Sequence, residues 1–153
     1  MLNPNADLAE QVQIVSGFLP VDMSAAANTG DFVSLKNYER ISIVVFKNAG
    51  TAGDDPTITI QEATAVDGSG AQNLAVIDKV YVKQDTALTG VGQFSVVTQT
   101  AAATYTDATS AEDAAIWVID VKAEDLSDGF DCINASIADV GTNAQIGCIL
   151  YLL

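Results

Sequence analysis

Short runs of alternating apolar and polar residues, each closed by Gly, Asn, Asp, Thr or Pro, recur along this chain and leave it few choices of fold. A repeat of two sends successive side chains to opposite faces, as in a strand with one side buried; a helix, at about 3.6 residues per turn, would scatter them. In "ERISIVVFK" the alternation places Ile41, Ile43 and Val45 on one side and Ser42, Val44 and Phe46 on the other. "PTITIQEA" sends Ile58 and Ile60 inward and Thr57, Thr59 and Gln61 outward, and "VIDKVYVKQ" opposes Val80 and Val82 to Lys79, Tyr81 and Lys83. "QFSVVTQT", "AIWVIDVKA", "FDCINASIAD" and "AQIGCILYLL" follow, and "QVQIVSG" near the start brings the candidates to eight. No amphipathic helical run separates them, which disfavours a βαβ core. The expected fold is all-β: a single-domain antiparallel β-sandwich, jelly-roll-like, or a related barrel. A chain of 153 residues can bury one core and hardly two. Residues 12–153 are therefore read as the sandwich domain, and the polar 1–11, "MLNPNADLAEQ", as a flexible N-terminal arm.

Helix signals are thin. Ser110 precedes Asp113 at capping-box spacing in "TSAEDAA", and "KAEDLSDG" fits one turn closed by Gly129. Both are expected as turns on the sheet rim. The loop "NAGTAGDDP", Asn48 to Pro56, is expected to be a β-hairpin tip, with Gly50 and Gly53 free to take positive φ and Asp55-Pro56 extended. "DVGTN", Asp139 to Asn143, is read as a second hairpin turn. Cys132 would then face Leu150, and Cys148 would face Asn134. The thiols would share a sheet face on a diagonal of about 7–8 Å, which is not disulfide geometry. Buried thiols are the expectation, although a register shift of two would bring the cysteines opposite one another.

Two segments are apolar on both faces, Ile116 to Ile119 and Ile149 to Leu153. A strand buried on both sides needs cover beyond its partner sheet. Subunit contact would supply it; so would the long Gly/Ala/Thr loops. Trp117 lies inside the first run and is expected in the core or an interface, not as a sugar-stacking platform.

Enzyme chemistry finds little to work with. There is no His, which removes the commonest general base and the usual triads. The two cysteines form no CxxC, no GxGxxG is present, and "GTAGDDP" lacks the GK[ST] of a phosphate loop. Asp54, Asp55 and Asp67 invite a calcium reading, but the EF-hand order is missing and adjacent extended residues point apart. They are read as acidic turn residues, with a weak surface cation site as the alternative. No catalytic, cofactor-binding or metal residue is assigned. With 20 acidic and 6 basic residues the net charge is -14, spread along the chain with no basic cluster, so nucleic acid would be repelled and a positive protein surface suited. At 49% hydrophobic the chain is too apolar for disorder. Its opening has no signal-peptide pattern and no run approaches the roughly 18 apolar residues of a membrane span, so a soluble product of the cytoplasm is expected.

The succession "DFVSLKNYERISIVVFKNAGTAGDDPTITIQEATAVDGSGAQNL", "YVKQ", "GVGQFSVVTQ", "TSAEDAAIWVIDVKAEDL" and "FDCINASIADVGTNAQIGCILYLL" resembles small structural proteins of tailed bacteriophages, encoded near the major capsid protein. The likeness runs from about Phe18 to the C-terminus and implies a capsid decoration, or cement, protein. Such a protein is a non-enzymatic virion component that stabilises the bacteriophage head from the outer surface of the capsid after assembly in the host cytoplasm. The implied partners are the major capsid protein and further copies of itself, a homo-oligomer with a trimer favoured, without nucleic acid or membrane. A tail, baseplate or fibre component is the nearest alternative, and a ligand- or carbohydrate-binding sandwich module is another.

Overall fold

The computed structural model describes residues 3–108 and 113–153. Strand accounts for 49% of the chain and helix for 5%, so the protein is all-β. One six-stranded antiparallel sheet runs in the order β1 (Ile14–Asp22), β12 (Ile146–Leu152), β4 (Arg40–Lys47), β10 (Ala114–Lys122), β7 (Ile77–Asp85), β8 (Ser95–Ala102). The second holds β2 (Asn28–Thr29), β11 (Cys132–Ile137), β5 (Thr57–Ala63) and β6 (Gln72–Asn73), with β3 (Val33–Ser34) on β11 and β9 (Thr104–Thr106) on β5. Each of the eight expected runs is a strand. The short strands β2, β3, β6 and β9 fall in segments too brief to show a period.

Alternation sets the inner face. Ile41, Ile43 and Val45 of β4, Trp117, Ile119 and Val121 of β10, and Ile149 and Tyr151 of β12 are buried against Ile58, Ile60, Ile133, Ala135 and Ile137 of the second sheet. Burying each large aliphatic side chain contributes about 1.5–3 kcal/mol. Trp117 meets Tyr105 edge-on, with ring centroids 5.3 Å apart, at the centre of this core. Tyr151 crosses the sandwich to accept a hydrogen bond from the Ala135 N–H at 2.9 Å. Lys47 continues the inward row of β4; its Nζ donates to the Asp113 carbonyl at 2.6 Å.

Connections differ from the expectation. "NAGTAGDDP" is not a hairpin tip: β4 and β5 belong to different sheets, so the loop is an arch over the end of the sandwich. Gly53 has φ 92° and Pro56 is buried under the arch. "DVGTN" is a second arch, from β11 to β12, and it packs on the first. Asp54 Oδ2 accepts from the Asn143 side chain at 2.8 Å and from the Asn143 N–H at 3.2 Å, clasping the two arches. Among the described residues, consecutive strands form a hairpin only at β5–β6 and β7–β8. A turn rich in Gly, Asn and Asp serves an arch as well as a hairpin, so its residues carry no signal to tell them apart.

The same crossing overturns the cysteine geometry. Cys132 does not face Leu150, nor Cys148 Asn134. Cys132 sits beside Ser34 and Ala63 in one sheet and Cys148 beside Phe46 in the other, and both thiols are free. Strand β1 starts later and runs further than "QVQIVSG", passing through Pro20 with register irregularities on either side of Phe18. A 3-10 turn, Ala123–Asp125, and Gly129 at φ 87° fall within "KAEDLSDG". Ser110 lies outside the described residues. In the segment read as an arm, Leu8–Gln11 forms one helical turn, α1, with the Asp7 N–H donating to the Glu10 carboxylate at 3.0 Å.

Candidate interaction surface

The outer face of the six-stranded sheet is apolar where a solvated face would be polar. Residues skipped by the inward set point there, and the register lines them up. Leu150 lies beside Val44, Val44 beside Val118, Val118 beside Tyr81, and Tyr81 beside Val96. A second row joins Cys148, Phe46 and Ile116 and ends at Lys83. Phe46 is 50% exposed and Leu150 38%, whereas their inward neighbours Val45, Lys47, Ile149 and Tyr151 are all below 4%; Val96, on the edge strand, is 53% exposed. Below these rows Ser42 donates to the Asp120 carboxylate, which begins a polar margin.

The patch ends in a small apolar concavity of about 350 Å³, where Pro20, Phe46, Leu88, Ile146 and Cys148 meet. Loop 86–94 curls over this end through Ala87 and Leu88, covering part of the sheet and leaving the central rows open. A larger, open trough of about 1260 Å³ lies at the polar end, lined by Arg40, Asp78, Asp120, Lys122, Glu124 and Asp125 among others. Its acidic residues outnumber the two cations, and Tyr38, Ala75, Val76 and Ala123 supply its apolar lining.

Strand parity also gathers the cations. Arg40, Lys79, Lys83 and Lys122, four of the six basic residues, project from this same face. Lys83 Nζ stands 4.8 Å over the Phe94 ring and donates to the Val91 carbonyl at 2.7 Å. Lys122 pairs with Glu124 at 2.8 Å. Spread along the sequence these cations form no cluster; only pairing of β4, β7 and β10 places them on one face. Asp78, Asp85 and Asp120 are interspersed on the same strands, so the rim is mixed in sign while much of the acidic excess lies elsewhere.

The acidic residues considered for calcium do not converge. Asp54 and Asp67 lie beyond opposite ends of β5, and a seven-residue strand separates its ends by about 20 Å. Asp54 is engaged by Asn143, and Asp67 accepts from the Ser69 N–H at 2.9 Å, an Asx turn that holds its carboxyl below the usual range. No group of three or more metal-ligating side chains occurs among the described residues. Trp117 is fully buried and offers no stacking platform.

Perturbed groups are structural. Burial acts to raise the Glu62 carboxyl, but hydrogen bonds from Ser127 at 2.7 Å and Gln72 at 2.6 Å outweigh it and hold the group below its ordinary value. Burial, with Asp131 alongside, pushes the Cys132 thiol up to about 11, and burial raises Cys148. Neither cysteine has the lowered pKa of a nucleophile. Burial likewise raises Tyr151, to about 12. Comparison with protein-family models, curated proteins and solved structures returned no match.

Proposed function

We propose that this protein is a non-enzymatic structural subunit that docks on a protein shell through the outer face of its six-stranded sheet, as a capsid decoration protein on a bacteriophage head. The observation that carries the docking reading is the exposed apolar row from Leu150 to Val96 with Phe46 beside it. Contiguous apolar surface on a folded domain marks a contact site. An apolar centre inside a rim of mixed charge is the anatomy of a protein–protein interface. The choice of a phage head rests on the sequence resemblance, with the major capsid protein as partner and copies of the chain gathered on the outer surface, a trimer being the favoured grouping. The acidic excess away from this face would oppose nucleic acid and favour a basic shell exterior.

The test is reconstruction of the virion with copy counting, alongside attachment assays of Phe46→Asp and Leu150→Asp. Hundreds of copies on the outer capsid, with this face turned inward, support the assignment. A few copies confined to the tail transfer it to a tail or baseplate component. Both variants should fold and fail to attach; attachment at wild-type strength removes this face from the interface.

A further inference from the structure

We propose that the free edge of β8 pairs antiparallel with β8 of a second copy, across a two-fold axis, to make one continuous sheet. An edge strand presents a row of unpaired N–H and C=O groups, and proteins ordinarily protect such edges with charge, proline or a bulge. The two edges of the six-stranded sheet differ in this respect. At β1, Pro20 removes a donor, the register slips on both sides of Phe18, and the Asp31 N–H occupies the Gly17 carbonyl at 3.0 Å.

β8 has neither proline nor charge, and its one bulge is confined to the Thr98–Ala102 end. The bulge leaves Ser95 to Thr98 in unbroken register with β7, so that half of the edge is regular and open. Among the described residues, no backbone group outside β7 bonds to it. Its side chains are mostly exposed on both faces, because the shorter second sheet does not reach beneath it; inward-facing Val97 is 38% exposed.

Charge selects the occupant. From Thr86 to Thr106 no side chain is charged, the longest such stretch in a chain of net charge -14. Two copies repel one another over most of their surfaces, and this edge is where they can meet without opposing carboxylates. Antiparallel pairing of one strand with itself is self-complementary and closes after two copies. Exposed Val96, Val97 and Phe94 would then cover their counterparts, and the apolar outer rows would run on into the partner. The inference rests on the edge alone: its failure leaves the docking assignment standing, and its success replaces the favoured trimer with an even-numbered grouping.

The experiment measures mass by light scattering from low to high micromolar protein, with amide hydrogen exchange at both ends of the range. The expected result is an even-numbered assembly whose β8 amides slow with concentration while those of β1 do not. Thr98→Lys with Thr100→Lys, at exposed positions, should keep the monomer's circular dichroism and weaken association about tenfold, since like charges then face one another across the two-fold. A monomer throughout, or a trimer whose β8 exchange and mass ignore the lysines, overturns the proposal.

Discussion

The two faces of the six-stranded sheet are made by the same strands from similar residues, yet only one is a core. On β10, Trp117, Ile119 and Val121 are buried between the sheets, while Ile116 and Val118 look outward and stay partly accessible. On β4, buried Ile43 and Val45 alternate with Val44 and Phe46. Hydrophobicity alone does not separate the faces; what separates them is whether another layer lies on top. An inner residue has lost its water to packed atoms already, whereas an outer one keeps that gain in reserve for a partner.

Substitutions sharpen this contrast. Trp117→Ala should have the largest effect, about 3–5 kcal/mol of unfolding free energy in a denaturant titration, because it empties the centre of the core. Tyr151→Phe should come next, at about 1–3 kcal/mol, since the buried Ala135 N–H loses its acceptor. Phe46→Ala should cost about 1 kcal/mol or less in the isolated protein. If it costs as much as Trp117→Ala, the outer face is already a core and the contrast fails.

A pH series probes the second sheet in the same way. The Glu62 carboxyl is depressed in the folded state, so its stabilisation is complete above about pH 5 and disappears as pH falls through the lowered value. Acid should therefore destabilise the wild type more steeply than Glu62→Gln; parallel pH curves would remove Glu62 from the balance. The smallest effect reads the outer face directly. Cys148, half-buried there, should react with a thiol reagent in the native protein, slowly because burial raises its pKa, and should be protected once the face is docked. Buried Cys132 should react only on unfolding.

Much of the strand pattern was legible because it is local. Ile41, Ile43 and Val45, or Ile58 and Ile60, declare their side by alternation that survives any choice of partner. The double-faced apolar runs also announced an outer surface in search of cover. The arches at Asn48–Pro56 and Asp139–Asn143 were misread as hairpins, because Gly, Asn and Asp favour a chain reversal without specifying which strand receives the chain. The cation group of Arg40, Lys79, Lys83 and Lys122 could not be seen for a related reason: β7 reaches β4 only through β10.

By itself, then, the sequence determined where strands form, which side of each is inward, and that a long uncharged stretch surrounds "SVVTQTAA". Side-chain period and composition are properties of neighbours along the chain, and they need no fold to be read. Tertiary structure decided which strands pair, that Cys132 and Cys148 belong to different sheets, and that the uncharged strand ends up at an open edge. Backbone hydrogen bonds join any strand to any other with nearly equal strength, so partner choice falls to the packing of the whole core, which no local segment encodes.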